Sequence, residues 1–264
     1  MNMKIRNIIG LLIMSSVLIW NTGCKKYPYL DGNSNVISET RVPVSFNRIE
    51  NQGDFTVYYT QDTIFRIIIE AESNLIPYIR TIVNENTLVI DTREILNNNV
   101  PMKVHVYSPT LIGVELSGSG YIHLNTIVMD RFMAQLSGSG DIQGNIVSNY
   151  CDAIVSGSGN IYFSMESKQT KGIISGSGKI ILLGDGNMPY AEFADYVITG
   201  SGDIEAFKMP VVTCNAYIAG SGHVFTTVRD NLVGRISGSG NVYYKGNPNI
   251  DSDITGSGNI IHEE

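Results

Sequence analysis

Paired carboxylates are the residues of this chain best suited to acid–base chemistry, and Asp141 and Asp203 are the first candidates. Each directly follows a Gly-Ser-Gly triplet, and the two occupy the same position of a repeat, three copies apart. If the copies of the repeat stack at the spacing of neighbouring β-strands, about 4.8 Å, Asp141 and Asp203 lie about 14 Å apart. Glycoside hydrolases need roughly 5 to 9.5 Å between their two carboxyl groups. Carbohydrate processing is an activity of several enzymes built on parallel β-helices. It is therefore not favoured for this chain and stays an alternative.

The other acids and the histidines add little support for catalysis. Asp251 and Asp253 share the outward face of the last copy, where charged side chains are usually only solvated. Calcium-binding β-rolls carry an acid in most of their turns, whereas six of the eight triplets here lack one. No histidine has a partner at the spacing of a metal site; the four are His105, His123, His223 and His262. The sequence predicts no enzyme activity, no metal and no cofactor.

A repeat must position these side chains. An aliphatic residue, then Ser, Thr or Ala, then Gly-Ser-Gly, any residue, and Ile or Val recur eight times between residues 116 and 260. The intervals between copies are 20, 19, 19, 24, 20, 18 and 18 residues. Such a period without a helical pattern predicts one coil of β-structure per copy, stacked as a solenoid. The second glycines, which define position zero, are Gly120, Gly140, Gly159, Gly178, Gly202, Gly222, Gly240 and Gly258.

Apolar and polar residues alternate around each triplet, which is the period of a β-strand. Positions −4 and +2 are aliphatic in every copy and are predicted to point inward, and position −6 is mostly small, with Tyr196 as the exception. Position −4 holds Leu116, Leu136, Val155, Ile174, Ile198, Ile218, Ile236 and Ile254, and position +2 holds Ile122, Ile142, Ile161, Ile180, Ile204, Val224, Val242 and Ile260. Stacked in register, these ladders predict a rod about 40 Å long.

The triplet itself is predicted to be structural. Glycine at −2 and at zero in all copies indicates a corner where a Cβ would clash or where φ must be positive. The serine between them is also present in all copies, and we expect its hydroxyl to hydrogen-bond along the stack. Outward hydroxyls at −3 and −1 leave ice binding as a minor alternative, although threonine would suit that role better than serine.

The N-terminus resembles a bacterial lipoprotein signal. Lys4 and Arg6 precede an apolar run over residues 8–20, which ends in Asn-Thr-Gly followed by Cys24. A small residue before such a cysteine marks the cleavage site of signal peptidase II, so Cys24 is the predicted lipidation site. Asn21 departs from the aliphatic residue usual there, and a plain signal peptide is the alternative. Residues 1–23 are predicted to be a signal peptide, and residues 24–40 a polar tether.

The two remaining cysteines, Cys151 and Cys214, both lie at position −8 of their coils, three coils apart. A separation of about 14 Å is too long for a disulfide. The sequence therefore predicts two buried free thiols that pack as small apolar residues.

Residues 41–110 carry strand patterns without the repeat. The alternating runs are Val42-Val44-Phe46, Phe55-Val57-Tyr59, Phe65-Ile67-Ile69, Leu88-Ile90 and Val104-Val106. Turn signals separate them, and residues 73–78 are expected to hold one short helical turn. We expect this region to pack on the first of the coils, which span 111–264, and to cover the open end of the stack. A separate domain is the alternative.

These features together resemble the autotransporter-adhesin head GIN domain family of Bacteroides-type bacteria. The resemblance rests on the lipoprotein signal, the segments Ser-Asn-Leu-Ile-Pro-Tyr at 73–78 and Asn-Thr-Leu-Val-Ile at 86–90, and the eight Ser-Gly-Ser-Gly-type coils, and it covers about 41–264 as one domain. It implies an all-β, right-handed parallel β-helix of about eight coils with an N-terminal β-rich capping region, located in the cell envelope. No translocator barrel is evident, so the resemblance does not imply autotransport.

A binding surface is more plausible than an active site, because solenoids present long regular faces. By the strand alternation, four tyrosines point outward and could stack on sugars or anchor protein contacts: Tyr121, Tyr162, Tyr217 and Tyr243. Their columns differ, so no continuous aromatic stripe is expected. Tyrosine is also common on strands for its β-propensity alone.

Charge limits the partners further. The 18 basic residues include Lys4 and Arg6, so the chain from Cys24 carries 16 basic and 25 acidic residues, a net charge of −9. Nucleic acid is thereby disfavoured as a partner. The sequence predicts an outer-membrane lipoprotein on the cell surface or the periplasmic face, with a structural or adhesive role and an unidentified protein or glycan ligand. Alternatives are a carbohydrate-binding β-helix protein and a periplasmic scaffold or signalling partner, and the open solenoid ends leave homo-oligomers possible.

Overall fold

The computed structural model describes residues 29–184, 186 and 190–264. The signal segment and Cys24 lie outside these residues. No helix in the described part of the chain is long and apolar enough to cross a membrane.

The described chain is built almost entirely of strands. The first nine are β1 Leu30–Asp31, β2 Val36–Arg41, β3 Arg48–Asn51, β4 Thr56–Gln61, β5 Arg66–Glu72, β6 Ile79–Asn84, β7 Thr87–Thr92, β8 Leu96–Asn97 and β9 Lys103–Ser108. The coils that carry the triplets contain β10 Gly113–Leu116, β11 Tyr121–Val128, β12 Arg131–Leu136, β13 Asp141–Val155, β14 Asn160–Ile174, β15 Lys179–Gly184, β16 Ala191–Ile198, β17 Ile204–Ile218, β18 Val224–Ile236, β19 Val242–Lys245, β20 Asn249–Ile254 and β21 Ile260–His262. One 3-10 turn, Ile76–Tyr78, lies where the sequence predicts a helical turn.

Parallel pairing between successive coils confirms the predicted β-solenoid. Each triplet has a strand segment before it and another after it, and each segment pairs with the equivalent segment of the next coil. Four strands, β13, β14, β17 and β18, run without interruption from one triplet to the next. Leu136 is in register with Val155, and Ile142 with Ile161. The aliphatic residues of positions −4 and +2 therefore lie directly above one another along the stack.

These two ladders form the core. Every member is buried except in the last coil, where Ile254 is 40% exposed and Ile260 is only partly buried. Tyr196, the one large residue at −6, is fully buried because Gly172 lies opposite it on the preceding coil. A Cβ at Gly172 would stand 3.2 Å from the Tyr196 ring, so the missing side chain of one coil makes room for the large one of the next.

The N-terminal region continues the same sheet, in line with the capping region that the sequence predicts. Strands β3 and β4 pair in parallel with β10 and β11, and β7 and β9 pair in parallel with β3 and β4. Two further levels are thus added to the stack. Beyond them the direction reverses, because β5 pairs antiparallel with β9 and β6 antiparallel with β7. This reversal closes one end of the solenoid.

Two expectations for the N-terminal segment are wrong. Val42 and Val44 are 84% and 70% exposed and lie outside any strand. Pro43 between them has no N–H to donate to a sheet. Much of the predicted tether, 24–40, is also structured, because β1 pairs with β8 and β2 pairs antiparallel with β5. The polar composition of this segment gave no indication of a strand, yet its backbone supplies an edge strand of the cap.

A candidate binding face on the outer columns

The backbone at the Gly-Ser-Gly corner pairs from coil to coil. The carbonyl oxygen of Gly138 accepts hydrogen bonds from the N–H groups of Ser158, at 3.1 Å, and Gly159, at 3.3 Å. A Cβ on Gly159 would overlap the carbonyl oxygen of Gly140 in the coil before it. Among the described glycines, only Gly186 and Gly246 have positive φ. Close approach of the coils, and not a left-handed backbone, therefore requires glycine in the triplets.

The serines of the triplets play a different part from the one expected. Their side chains are exposed, and it is their backbone N–H groups that bond to the preceding coil, as in Ser139 to Gly118 and Ser177 to Gly157. Backbone hydrogen bonds thus join the coils at their corners. The prediction that the serine hydroxyls hydrogen-bond along the stack is wrong.

The acids next to the triplets take over part of this pairing. The carboxylate oxygen Oδ1 of Asp141 accepts hydrogen bonds from the backbone N–H and the side-chain amide of Asn160, each at 2.9 Å. Asn160 in turn accepts from the N–H of Lys179 at 3.1 Å. The same relation continues from Asp203 to the N–H of His223 and from the imidazole of His223 to the N–H of Asn241, both at 3.0 Å. Position +1 thus supplies side-chain acceptors in two runs, one from Asp141 and one from Asp203, which Lys179 separates.

Glu205 and Asp251 are engaged in ion pairs. Lys179 bonds to Glu205 at 2.7 Å and lies 3.5 Å from Asp203. Its pKa is raised, chiefly by the hydrogen bond to Glu205. Asp251 does not pair with Asp253 but binds Arg235 at 2.7 Å, and that hydrogen bond lowers the pKa of Asp251. Within the described residues, no three His, Cys, Asp or Glu side chains come together as a metal site.

The predicted tyrosines do not form one surface. Tyr121 stands at +1, where a hydrogen bond to Asp141 raises its pKa. Tyr217 lies at −5, on the other side of the triplet, beside Arg235. Tyr162 and Tyr243 share position +3, so the expectation that the columns of all four differ is wrong for this pair.

Position +3 is in fact a column rich in aromatic rings. From the capped end it runs through His105, Tyr58, His123, Gln143, Tyr162, Ile181, Glu205, Phe225, Tyr243 and Ile261. Tyr58 stacks on His105 with 5.1 Å between ring centroids, and Phe225 stacks on Tyr243 with 4.9 Å. Counting tyrosines alone hides this column, since phenylalanine and histidine supply the other rings.

Side chains at +3 and +5 line two adjoining depressions on this outer face. The first, which we call the polar cleft, has a volume of about 280 Å³ and is lined on three coils by His123, Asn125, Gln143, Asn145, Tyr162 and Ser164. The second, the apolar groove, has a volume of about 480 Å³ and is lined by Ile181, Leu183, Glu205, Phe207, Lys208 and Phe225. Leu183 borders both. The outer face thus combines aromatic, amide and aliphatic groups that point to solvent, which is the composition of a binding surface.

The fold is a β-solenoid with a closed end, which places the chain in the class of repeat proteins. Sequence similarity to known proteins identifies the family. Residues 45–248 match the model of the family described as "Putative auto-transporter adhesin, head GIN domain", and the chain belongs to this family. No curated protein shows significant similarity to the chain.

Solved structures from Parabacteroides species share the fold. A "putative adhesin" from Parabacteroides merdae is 26% identical, with 89% of this chain and 99% of that chain covered and a TM-score of 0.80. A "putative adhesin" from Parabacteroides distasonis is 25% identical, with coverage of 89% and 100% and a TM-score of 0.82. A "putative lipid binding protein" from the same species is 25% identical, with coverage of 90% and 100% and a TM-score of 0.81.

Proposed function

We propose that this protein is a lipid-anchored adhesin of the bacterial envelope, which binds a partner through its outer face and performs no catalysis. The observation that carries the proposal is the outer face itself, where an aromatic column and two adjoining depressions stand open to solvent. The names of the family and of its structural relatives agree with a binding role.

The use of the acids supports a role without catalysis. A glycosidase needs one carboxyl group to donate a proton and a second to act as base or nucleophile, both facing one ligand. Here Asp141 and Asp203 accept backbone hydrogen bonds from the following coil, and Glu205 and Asp251 are held in ion pairs with Lys179 and Arg235. Asp203 and Glu205 approach the same Nζ of Lys179, at 3.5 and 2.7 Å, so a cation of the stack engages both carboxylates.

Lipid on Cys24 would set the orientation of the rod. Strand β1 begins at Leu30, only six residues after Cys24, and an extended chain of that length spans at most about 20 Å. The capped end would therefore stay near the membrane, and the triplet-bearing coils would project away from it. A tether this short holds the rod close to the membrane, and the outer face remains accessible along its side.

Protease treatment of intact cells tests the location, with lysed cells as the control for susceptibility. We expect the protein to be cleaved on intact cells, and a Cys24→Ala variant to be found in the soluble fraction without incorporated lipid label. Protection until lysis would contradict the adhesin proposal and favour a periplasmic scaffold or signalling partner. A Cys24→Ala variant that stays in the membrane would contradict the anchor.

A further inference from the structure

We infer that the polar cleft binds a neutral saccharide. The inference rests on the proposed binding function and names the class of ligand for one part of the outer face. The cleft is defined by the +3 and +5 side chains of three consecutive coils.

The pairing of the strands brings these side chains into register. His123 lies opposite Gln143, and Gln143 opposite Tyr162, while Asn145 lies opposite Ser164 on the parallel strands β13 and β14. Three coils extend over about 10 Å along the stack. The cleft therefore presents two rows of polar groups at the spacing of the coils.

Two contacts fix the donors at the capped side of the cleft. Asn125 points outward at +5, next to the irregularity of β11 between Leu124 and Ile127, and its amide donates to the hydroxyl of Thr60 at 2.9 Å. The amide nitrogen of Gln143 bonds to the imidazole of His123. Donors and acceptors held in this way lose little conformational freedom when they bind a ligand.

The chemistry of the lining matches a sugar. Tyr162 is 40% exposed and offers a ring face to the C–H face of a pyranose, and its hydroxyl can hydrogen-bond. The side chains of Asn145 and Gln143 can each donate and accept, as sugar hydroxyls require. None of the ten residues that line the cleft is Asp, Glu, Lys or Arg. The lining therefore favours an uncharged ligand over an ionic one.

The volume of the polar cleft and its boundary restrict the size of the ligand. A volume of about 280 Å³ lies just below the usual range for ligand sites, about 300–1,000 Å³, which favours a portion of one or two sugar rings. At the far side, the aliphatic side chain of Leu183 ends the polar surface. The rest of a longer glycan would extend towards the capped end or into solvent.

An array of short neutral and anionic oligosaccharides tests the inference, using the full chain with Cys24→Ala so that no lipid is present. We expect binding to neutral members such as glucan, galactan, mannan or xylan fragments. Titration calorimetry with the best neutral fragment should then show that Tyr162→Ala and Asn145→Ala each weaken affinity about tenfold or more, a loss of about 1.4 kcal/mol. Tyr162→Phe, which keeps the ring, should retain most of the affinity.

Tyr217→Ala is the matched control, because Tyr217 is 39% exposed on the other side of the triplet. Thermal denaturation of each variant separates loss of binding from loss of folding. Binding that survives Tyr162→Ala and Asn145→Ala but falls with Tyr217→Ala would overturn the inference and leave the binding function intact. Exclusive binding to anionic glycans or to phospholipid vesicles, or no binding to any neutral member, would overturn it as well. The protease experiment is independent of all these outcomes.

Discussion

Asp141 and Asn160 are joined by two hydrogen bonds at one oxygen, since Oδ1 of Asp141 accepts both the backbone N–H and the side-chain amide of Asn160 at 2.9 Å. The relationship crosses from one coil to the next. It shows that an acid which follows Gly-Ser-Gly can replace a backbone carbonyl in the parallel ladder.

Removal of this acceptor should destabilise the stack. In Asp141→Ala the N–H of Asn160 loses its partner, and we expect the free energy of unfolding to fall by about 1–3 kcal/mol. Asp141→Asn retains an acceptor oxygen and should stay within about 0.5 kcal/mol of the parent. Urea denaturation followed by circular dichroism measures both. Equal losses for the two variants would argue that charge, and not the hydrogen bond, is what matters.

The triplet glycines should tolerate no side chain. A methyl group at Gly159 would overlap the carbonyl oxygen of Gly140, and neither coil can move without breaking its pairing. Gly159→Ala should therefore cost roughly 3 kcal/mol or more, at or above the upper end for an overpacked core.

The adjacent Ser158→Ala is the control for that substitution. The Ser158 side chain is exposed and its backbone N–H makes the contact with Gly138, so its loss should change stability by less than about 0.5 kcal/mol. A large loss in Ser158→Ala would restore a structural role for the hydroxyl ladder.

The two described cysteines should be unreactive in the folded protein. Burial raises the pKa of Cys151 far above its usual value and is the main cause that raises that of Cys214 to about 12. Register places them three coils apart, through Thr170 and Ala194. Ellman's reagent at pH 8 should label neither thiol until denaturant is added, and then both. A disulfide between them under non-reducing mass spectrometry would contradict the observed register.

Glu72 should make the cap sensitive to acid. Its carboxylate is buried and accepts hydrogen bonds from Asn99, at 2.8 Å to the backbone N–H, and from the N–H of Ser34. Burial alone would raise its pKa, but these hydrogen bonds outweigh that effect and lower it below 4.5. The ionised form is thus favoured by folding. Its stabilising contribution is complete above pH 4.5 and is lost as the pH falls through the lowered pKa.

Glu72→Gln should remove this part of the pH dependence. We expect a lower melting temperature than the parent at pH 7 and a smaller difference between the two proteins as the pH falls below 4.5. The exposed Glu85→Gln serves as the control. A constant difference between Glu72→Gln and the parent over that pH range would show that the carboxylate does not titrate with folding.

Much of the coiled region could be predicted from residue spacing alone. In a solenoid each coil contacts only its neighbours, so position within the repeat translates directly into position in space. The inward columns, the shared column of Cys151 and Cys214 and the separation of Asp141 from Asp203 all follow from this rule.

The outer face was predicted less completely, although its residues obey the same register. Tyr162 and Tyr243 were identified as outward, but the cleft depends on Gln143, Asn145 and His123, whose residue types carry no signal by themselves. Their significance arises only when three coils place them side by side with Asn125 and Ser164.

The sequence by itself determined the solenoid, its inward ladders and the glycine corners, because these depend on contacts that recur at a fixed interval. Only the tertiary structure decided how the stack begins. There β7 and β9 lie beneath β3 and β4 although they come later in the chain, β5 and β6 reverse direction, and Glu72 binds the segment at Ser34. These pairings join segments without a repeat, and local patterns cannot indicate which of several compatible strands will meet.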